Sequence, residues 1–285
     1  MNIIKGFKLW LIQHSEKCFA KSLKLTLLLC ALIMSNFVSA GSIWETPLKN
    51  NDHKQLILVI TDNWNTDNGY LFTFNKQDKT TNKNQNQPWV KSSKSSLSTQ
   101  VTIGKNGLAW GVGLHSRQNG VYKKEGDGRA PAGIFSLGNA FGYLEKISTG
   151  LTYQAMTEND FCIDVNGSPY YNQLVDKSVV GEKAVKGSTE GMRRDIHYKG
   201  DQRYKKGIFV KHNKANIDKA GSCIFMHVWK DKGVPTSGCT AMTEQNMDSI
   251  LAWLDADKKP LYVALPMKQY LALKAKWQLP EISGY

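Results

Sequence analysis

Residues 56–74 read Leu-Ile-Leu-Val-Ile-Thr-Asp-Asn-Trp-Asn-Thr-Asp-Asn-Gly-Tyr-Leu-Phe-Thr-Phe. An aliphatic, β-branched run over 56–61 gives way to a segment rich in Asn, Asp and Gly. Aromatic and small residues then alternate from Tyr70 to Phe74. Strand, turn, strand is the arrangement this pattern predicts. Working outward, short apolar runs of the same kind recur at 101–103, 133–135, 207–212, 223–229 and 260–266. Glycine is dense over 104–113, which predicts tight turns and close backbone approaches. Residues 123–135 read as a loop that closes into a strand, and 138–180 as short strands and turns. The polar stretches 75–87 and 91–99 read as loops. The clearest predicted helix spans 243–255, with Thr243 as N-cap, Glu244 in the first turn, and Met247, Ile250, Leu251 and Leu254 at helical spacing. No internal repeat and no composition break divides the chain. The expectation is one mostly β domain with a few short helices.

Hydrophobic residues make up 41% of the chain and charged residues 21%, which excludes a disordered polymer. The formal charge is +13, and a basic surface suits nucleic acid, anionic membrane or an acidic polymer such as a cell wall. The absence of zinc-finger spacing and of any long basic run argues against nucleic acid. Residues 1–40 predict the compartment. Lys5, Lys8, Lys17, Lys21 and Lys24 precede or border the apolar run 25–34, and Val38-Ser39-Ala40 stands before Gly41 at the spacing a signal peptidase reads. The run is short for a membrane span. The expectation is a signal peptide over 1–40, an extension over 41–54, and a periplasmic or secreted protein with no integral span after cleavage. An uncleaved anchor is the competing reading.

Cys18 and Cys30 belong to the leader, so the exported chain keeps Cys162, Cys223 and Cys239. In an oxidising compartment three cysteines suggest one pair and one leftover thiol, or three free thiols. Cys239 occupies a small-residue turn, Thr236-Ser237-Gly238-Cys239-Thr240, just before the predicted helix. Proximity to a helix N-terminus would favour thiolate, and the amides of Gly238 and Cys239 would hold an oxyanion. His227, at the end of a strand-like run, would reach the cysteine across an intervening loop and act as its base. Blander readings compete: a buried small cysteine, a structural histidine, or a zinc site of His212, Cys223, His227 and Cys239. The missing CxxC knuckle argues against zinc, and no metal or cofactor is called for.

The segments 221–227 (GSCIFMH) and 235–242 (PTSGCTAM) resemble the catalytic region of the L,D-transpeptidase family, the YkuD-type domain. Residues 124–135 (KEGDGRAPAGIF) resemble that family's early glycine-rich signature. The stretches 164–172, 192–194 and 211–213 resemble the central motifs of one branch. The resemblance covers roughly 55–265. It implies a β-sandwich or mixed-sheet catalytic domain over 55–267, followed by a C-terminal tail over 268–285. It also implies Cys239 as nucleophile through a thioacyl-enzyme, His227 as base, and a peptidoglycan stem peptide as acyl donor. Many members carry arginine two positions after the cysteine, where this chain has Ala241. Substrate binding then falls to Ser237, Arg193 and Arg194. An L,D-carboxypeptidase or hydrolase would use the same pair of residues, and an inactive wall-binding protein would use neither. A sortase would need an arginine downstream of the cysteine, and none occurs after Arg203, while papain-like amidases place cysteine before histidine. Leaving Cys239 free in an exported chain predicts a Cys162–Cys223 disulfide.

Overall fold

The computed structural model describes Leu48 and residues 52–77, 88–92 and 98–282. The expected leader, most of the 41–54 extension and most of the two polar loops lie outside the described residues. Fourteen strands carry the described fold. The first seven are β1 (Gln55–Thr61), β2 (Asn68–Lys76), β3 (Trp89–Lys91), β4 (Ser98–Thr102), β5 (Leu108–Trp110), β6 (Ala130–Gly142) and β7 (Tyr153–Ala155). The rest are β8 (Asp160–Cys162), β9 (Leu174–Asp176), β10 (Glu190–Gly191), β11 (Lys206–Val210), β12 (Phe225–Val228), β13 (Thr240–Met242) and β14 (Leu261–Pro266).

The aliphatic run 56–61 lies in β1, and every residue of that strand is buried. It pairs on both edges: antiparallel with β2 (Leu58↔Phe72) and parallel with β14 (Leu58↔Val263). From β14 the pairing continues through β6, β11, β12, β13 and β4 to β2, and β2 returns to β1. Eight strands therefore close into a barrel, and the sandwich expected from the sequence is corrected. Periodicity announces each strand locally, but closure depends on β1 meeting β14 some two hundred residues away, which no local pattern records. The mixed character of the sheet stands, since β1–β14 and β12–β13 run parallel among antiparallel neighbours.

Residues 123–135 are not loop throughout, because β6 begins at Ala130 and runs thirteen residues. It holds β14 on one edge and β11 on the other. Phe135, Ile134, Tyr262 and Val263 fill the core around that junction. Full burial of one such aliphatic or aromatic side chain contributes roughly 1.5–3 kcal/mol. Gln55, at the start of β1, is buried with its polar atoms paired: its Nε2 donates to Trp253 O at 2.7 Å and its Oε1 accepts from Asp255 N at 2.9 Å.

Among the described residues five α-helices are short or peripheral: α1 (Lys177–Val180), α2 (Glu182–Val185), α3 (Arg194–His197), α4 (Glu244–Trp253) and α5 (Met267–Trp277). The expected helix is α4. Thr243 caps it by accepting from Asn246 N at 3.1 Å, and Met247, Ile250 and Leu251 bury its apolar face. The segment read as a tail holds α5, whose Tyr270 and Trp277 join the main core. No helix among the described residues is long and apolar enough to cross a membrane.

A second sheet, ordered β10-β8-β9, stands outside the barrel with its own small core of Ile163, Val175 and Val185. A disulfide between Cys162 on β8 and Cys223, just ahead of β12, fastens it to the barrel. This is the pairing expected from the sequence, and Cys239 is left free.

Candidate functional site

The parallel pair β12–β13 places the two residues singled out by the sequence. Met226 pairs with Thr240 and His227 with Ala241. One step back along both strands, Phe225 N donates to Cys239 Sγ at 3.3 Å. Cys239 thus stands one residue ahead of β13, with its sulfur against the backbone of β12 two positions before His227. Ideal strand spacing puts their Cα atoms on the order of 8 Å apart. The thiol accepts from Phe225 N and donates to Cys223 O at 3.6 Å; neither bond involves His227. His227 Nδ1 donates to Val228 O at 2.7 Å, which fixes the neutral tautomer with a lone pair on Nε2. Tyr204 packs edge-on against the imidazole, with ring centroids 5.2 Å apart.

Burial sets the resting charges. It lowers His227 to about 4, against a smaller opposing effect of the Val228 carbonyl. It raises Cys239 to about 12, reinforced by the negative charge of Glu190 and opposed by the Phe225 amide, Lys123 and Arg194. Thiol and imidazole are therefore both neutral at rest. The expected help from a helix N-terminus is absent: β13 and the cap Thr243 separate Cys239 from α4, and dipole effects fade within the first turn.

The turn before the thiol is tied by Thr236. Its hydroxyl donates to Cys239 O at 2.7 Å and accepts from Gly238 N at 3.0 Å. Gly238 has φ +153°, and a Cβ there would come within 2.9 Å of Arg129 O. The Gly238 amide, expected to hold an oxyanion, is thus already engaged. Ser237, Gly238 and Cys239 line a cleft of about 230 Å³, together with Lys123, Glu125 and Glu190. The cleft wall is built tightly. Glu125 accepts from Ser222 Oγ at 2.7 Å and from the Tyr171 hydroxyl, while Gly221 N donates to that same hydroxyl at 3.0 Å.

Arg193 and Arg194 do not line this cleft. Arg193 makes a two-pronged pair with Asp195 at 2.8 and 2.7 Å and stacks over Tyr143. Arg194 is buried, paired with Asp201 at 2.9 Å and Glu190 at 3.5 Å, and lies over the rings of Tyr198 and Tyr204. Either arginine would have to abandon these partners to grip a substrate carboxylate.

The four zinc-type residues do not form a ligand set, because Cys223 is consumed in the disulfide. His212 is a structural histidine: Nδ1 accepts from Val112 N at 3.2 Å and Nε2 donates to Ala220 O at 2.9 Å. Among the described residues no group of three or more His, Cys, Asp or Glu side chains is placed to hold a metal.

Sequence reasoning passed over Lys123, Glu190 and Tyr204. Tyr204 donates to Glu190 and touches His227, and burial raises Glu190 to about 7 against that hydrogen bond. Glu190 and Tyr204 stand in stretches without a periodic or motif signal. Lys123 opens the stretch 123–135, whose loop pattern gives a single lysine no distinction. The chain matches no family model, no curated protein and no solved structure with which it was compared.

Proposed function

We propose that the protein is an exported cysteine acyltransferase of L,D-transpeptidase type, acting on peptidoglycan stem peptides. The observation that carries this reading is the free thiol of Cys239. It lines a polar cleft, lies against the β12 backbone two residues before His227, and is spared by the disulfide that joins Cys162 to Cys223. His227, held by the Val228 carbonyl, would receive the thiol proton through Nε2 once a substrate draws the two side chains together. Cys239 would then attack the peptide carbonyl to form a thioacyl-enzyme, and the departing amine would take the proton from the imidazolium. An amine acceptor would complete a crosslink. Water would give the carboxypeptidase or hydrolase outcome at the same site.

Export agrees with the disulfide, which persists in an oxidising compartment. Incubation with tetrapeptide-bearing muropeptides, read by mass, tests the reading. Crosslinked dimers would establish transfer and trimmed tripeptides hydrolysis. Absence of change with the wild-type chain, or equal turnover by Cys239→Ala, would refute both.

A further inference from the structure

We propose that Lys123 supplies the charged donor that holds the tetrahedral oxyanion formed on Cys239, in place of the engaged Gly238 amide. This rests on Cys239 being an acyl-accepting nucleophile, as argued above. Lys123 is a buried lysine on the wall of the same cleft. Its backbone is pinned, with Lys123 N donating to Trp110 O at 2.9 Å. Its Nζ donates to Asp127 Oδ1 at 2.8 Å and makes a long contact of 3.4 Å to Lys124 O. An ammonium carries three protons, so one remains for the cleft. Two residues without side chains make room for it. A Cβ on Gly221 would strike Lys123 Cε at 2.8 Å, and a Cβ on Gly238 would stand 3.5 Å from Nζ. The ammonium therefore reaches the turn that presents the nucleophile.

The other charges around the thiol do not serve this role. Glu190 has the wrong sign, Arg194 is committed to Asp201 and Glu190, and Lys105 is exposed. Asp127 is satisfied independently of the lysine by the amides of Lys124 at 2.8 Å and Arg129 at 2.9 Å. It acts as a fixed clamp that holds the ammonium in place.

The step balances without a further reactant. The Sγ–C bond forms as the carbonyl π pair moves onto oxygen, where the Lys123 N–H donates to it. Collapse restores the C=O bond and expels the leaving group, which takes its proton from His227. Lys123 keeps its proton throughout.

The test uses the full exported chain with its disulfide intact and two reagents that differ in one respect. Iodoacetamide alkylates sulfur without an oxyanion, whereas p-nitrophenyl acetate acylates it through one. Both rates are measured at pH 8 for wild type, Lys123→Met and Lys123→Arg, with the adduct mapped to Cys239. Lys123→Met is expected to slow acylation by about 10²-fold, the usual loss for one oxyanion donor, and alkylation by under tenfold. Lys123→Arg should restore most of the difference. Should the Met variant fail to fold, Lys123→Leu, which likewise lacks a donor, carries the same comparison. Acylation and alkylation falling by the same factor, or neither falling, would overturn the role of Lys123 while leaving the nucleophile in place. A wild-type Cys239 that accepts neither reagent would overturn the cysteine reading itself and the role of Lys123 with it.

Discussion

Cutting the Cys162–Cys223 crosslink, by Cys162→Ala with Cys223→Ala, removes the fastening between the β10-β8-β9 sheet and the barrel. The bridge spans a sequence separation of 61 residues. Chain-closure entropy for such a loop is about 14 cal/mol/K, or about 4 kcal/mol at 25 °C. At roughly 2–4 °C per kcal/mol for a domain of this size, the melting temperature should fall by about 8–16 °C. The loss should also be local. The outer sheet has only Ile163, Val175 and Val185 as its core, and Cys162 stands opposite Glu190 in the β8–β10 register. Amides of β8 and β10 should therefore exchange faster than those of β1 and β14, which lie in the closed ring. Thermal melts of the oxidised chain, the chain with reductant and the double variant, followed by hydrogen exchange, measure both effects. A melting temperature within 3 °C of wild type, or exchange accelerated equally throughout, would refute the reasoning.

Acid should destabilise the fold through its buried histidines. His115, His212 and His227 are each lowered to about 4 by burial, from 6.5 when unfolded. Between those values the unfolded chain binds more protons than the native one, so stability falls as pH drops through that window. The three rings together give a slope of at most about 4 kcal/mol per pH unit, which Glu190, raised from 4.5 to about 7, offsets by up to about 1.4; urea midpoints at pH 7, 6 and 5 that fail to fall would refute this. With the thiol raised to about 12 and the imidazole near 4, alkylation of Cys239 should climb about tenfold per pH unit from 6 to 9. A plateau in that range would mean a preformed thiolate–imidazolium pair. Gly238→Ala should cost about 1–3 kcal/mol, because its φ of +153° and the nearby Arg129 carbonyl both resist a Cβ; an unchanged melting temperature would contradict the turn geometry.

Much of the barrel was legible because strands of four to nine residues advertise themselves by local pattern. The runs at 56–61, 70–74, 207–212, 223–229 and 260–266 all overlap strands of the ring. Helix α4 was legible for the same reason, through Thr243 and the spacing of Met247, Ile250 and Leu251. Ring closure was not, since it depends on β1 recognising β14. At the site, Cys239 and Gly238 stood out as a small-residue turn, but the use of the Gly238 amide by Thr236 depends on a φ angle and a rotamer. The reach of Lys123 depends on two glycines, one in each of two loops. Glu190 owes its place to a two-residue strand, Glu190–Gly191, too short to leave a trace in periodicity.

The seating of β1 between β2 and β14 has a consequence for how the chain matures. One flank of this seven-residue greasy ribbon stays bare until residue 266 has been delivered. A naked apolar flank invites pairing with other chains. Any helper that shields the nascent polypeptide should therefore dwell on residues 55–61 and let go only when the last strand arrives.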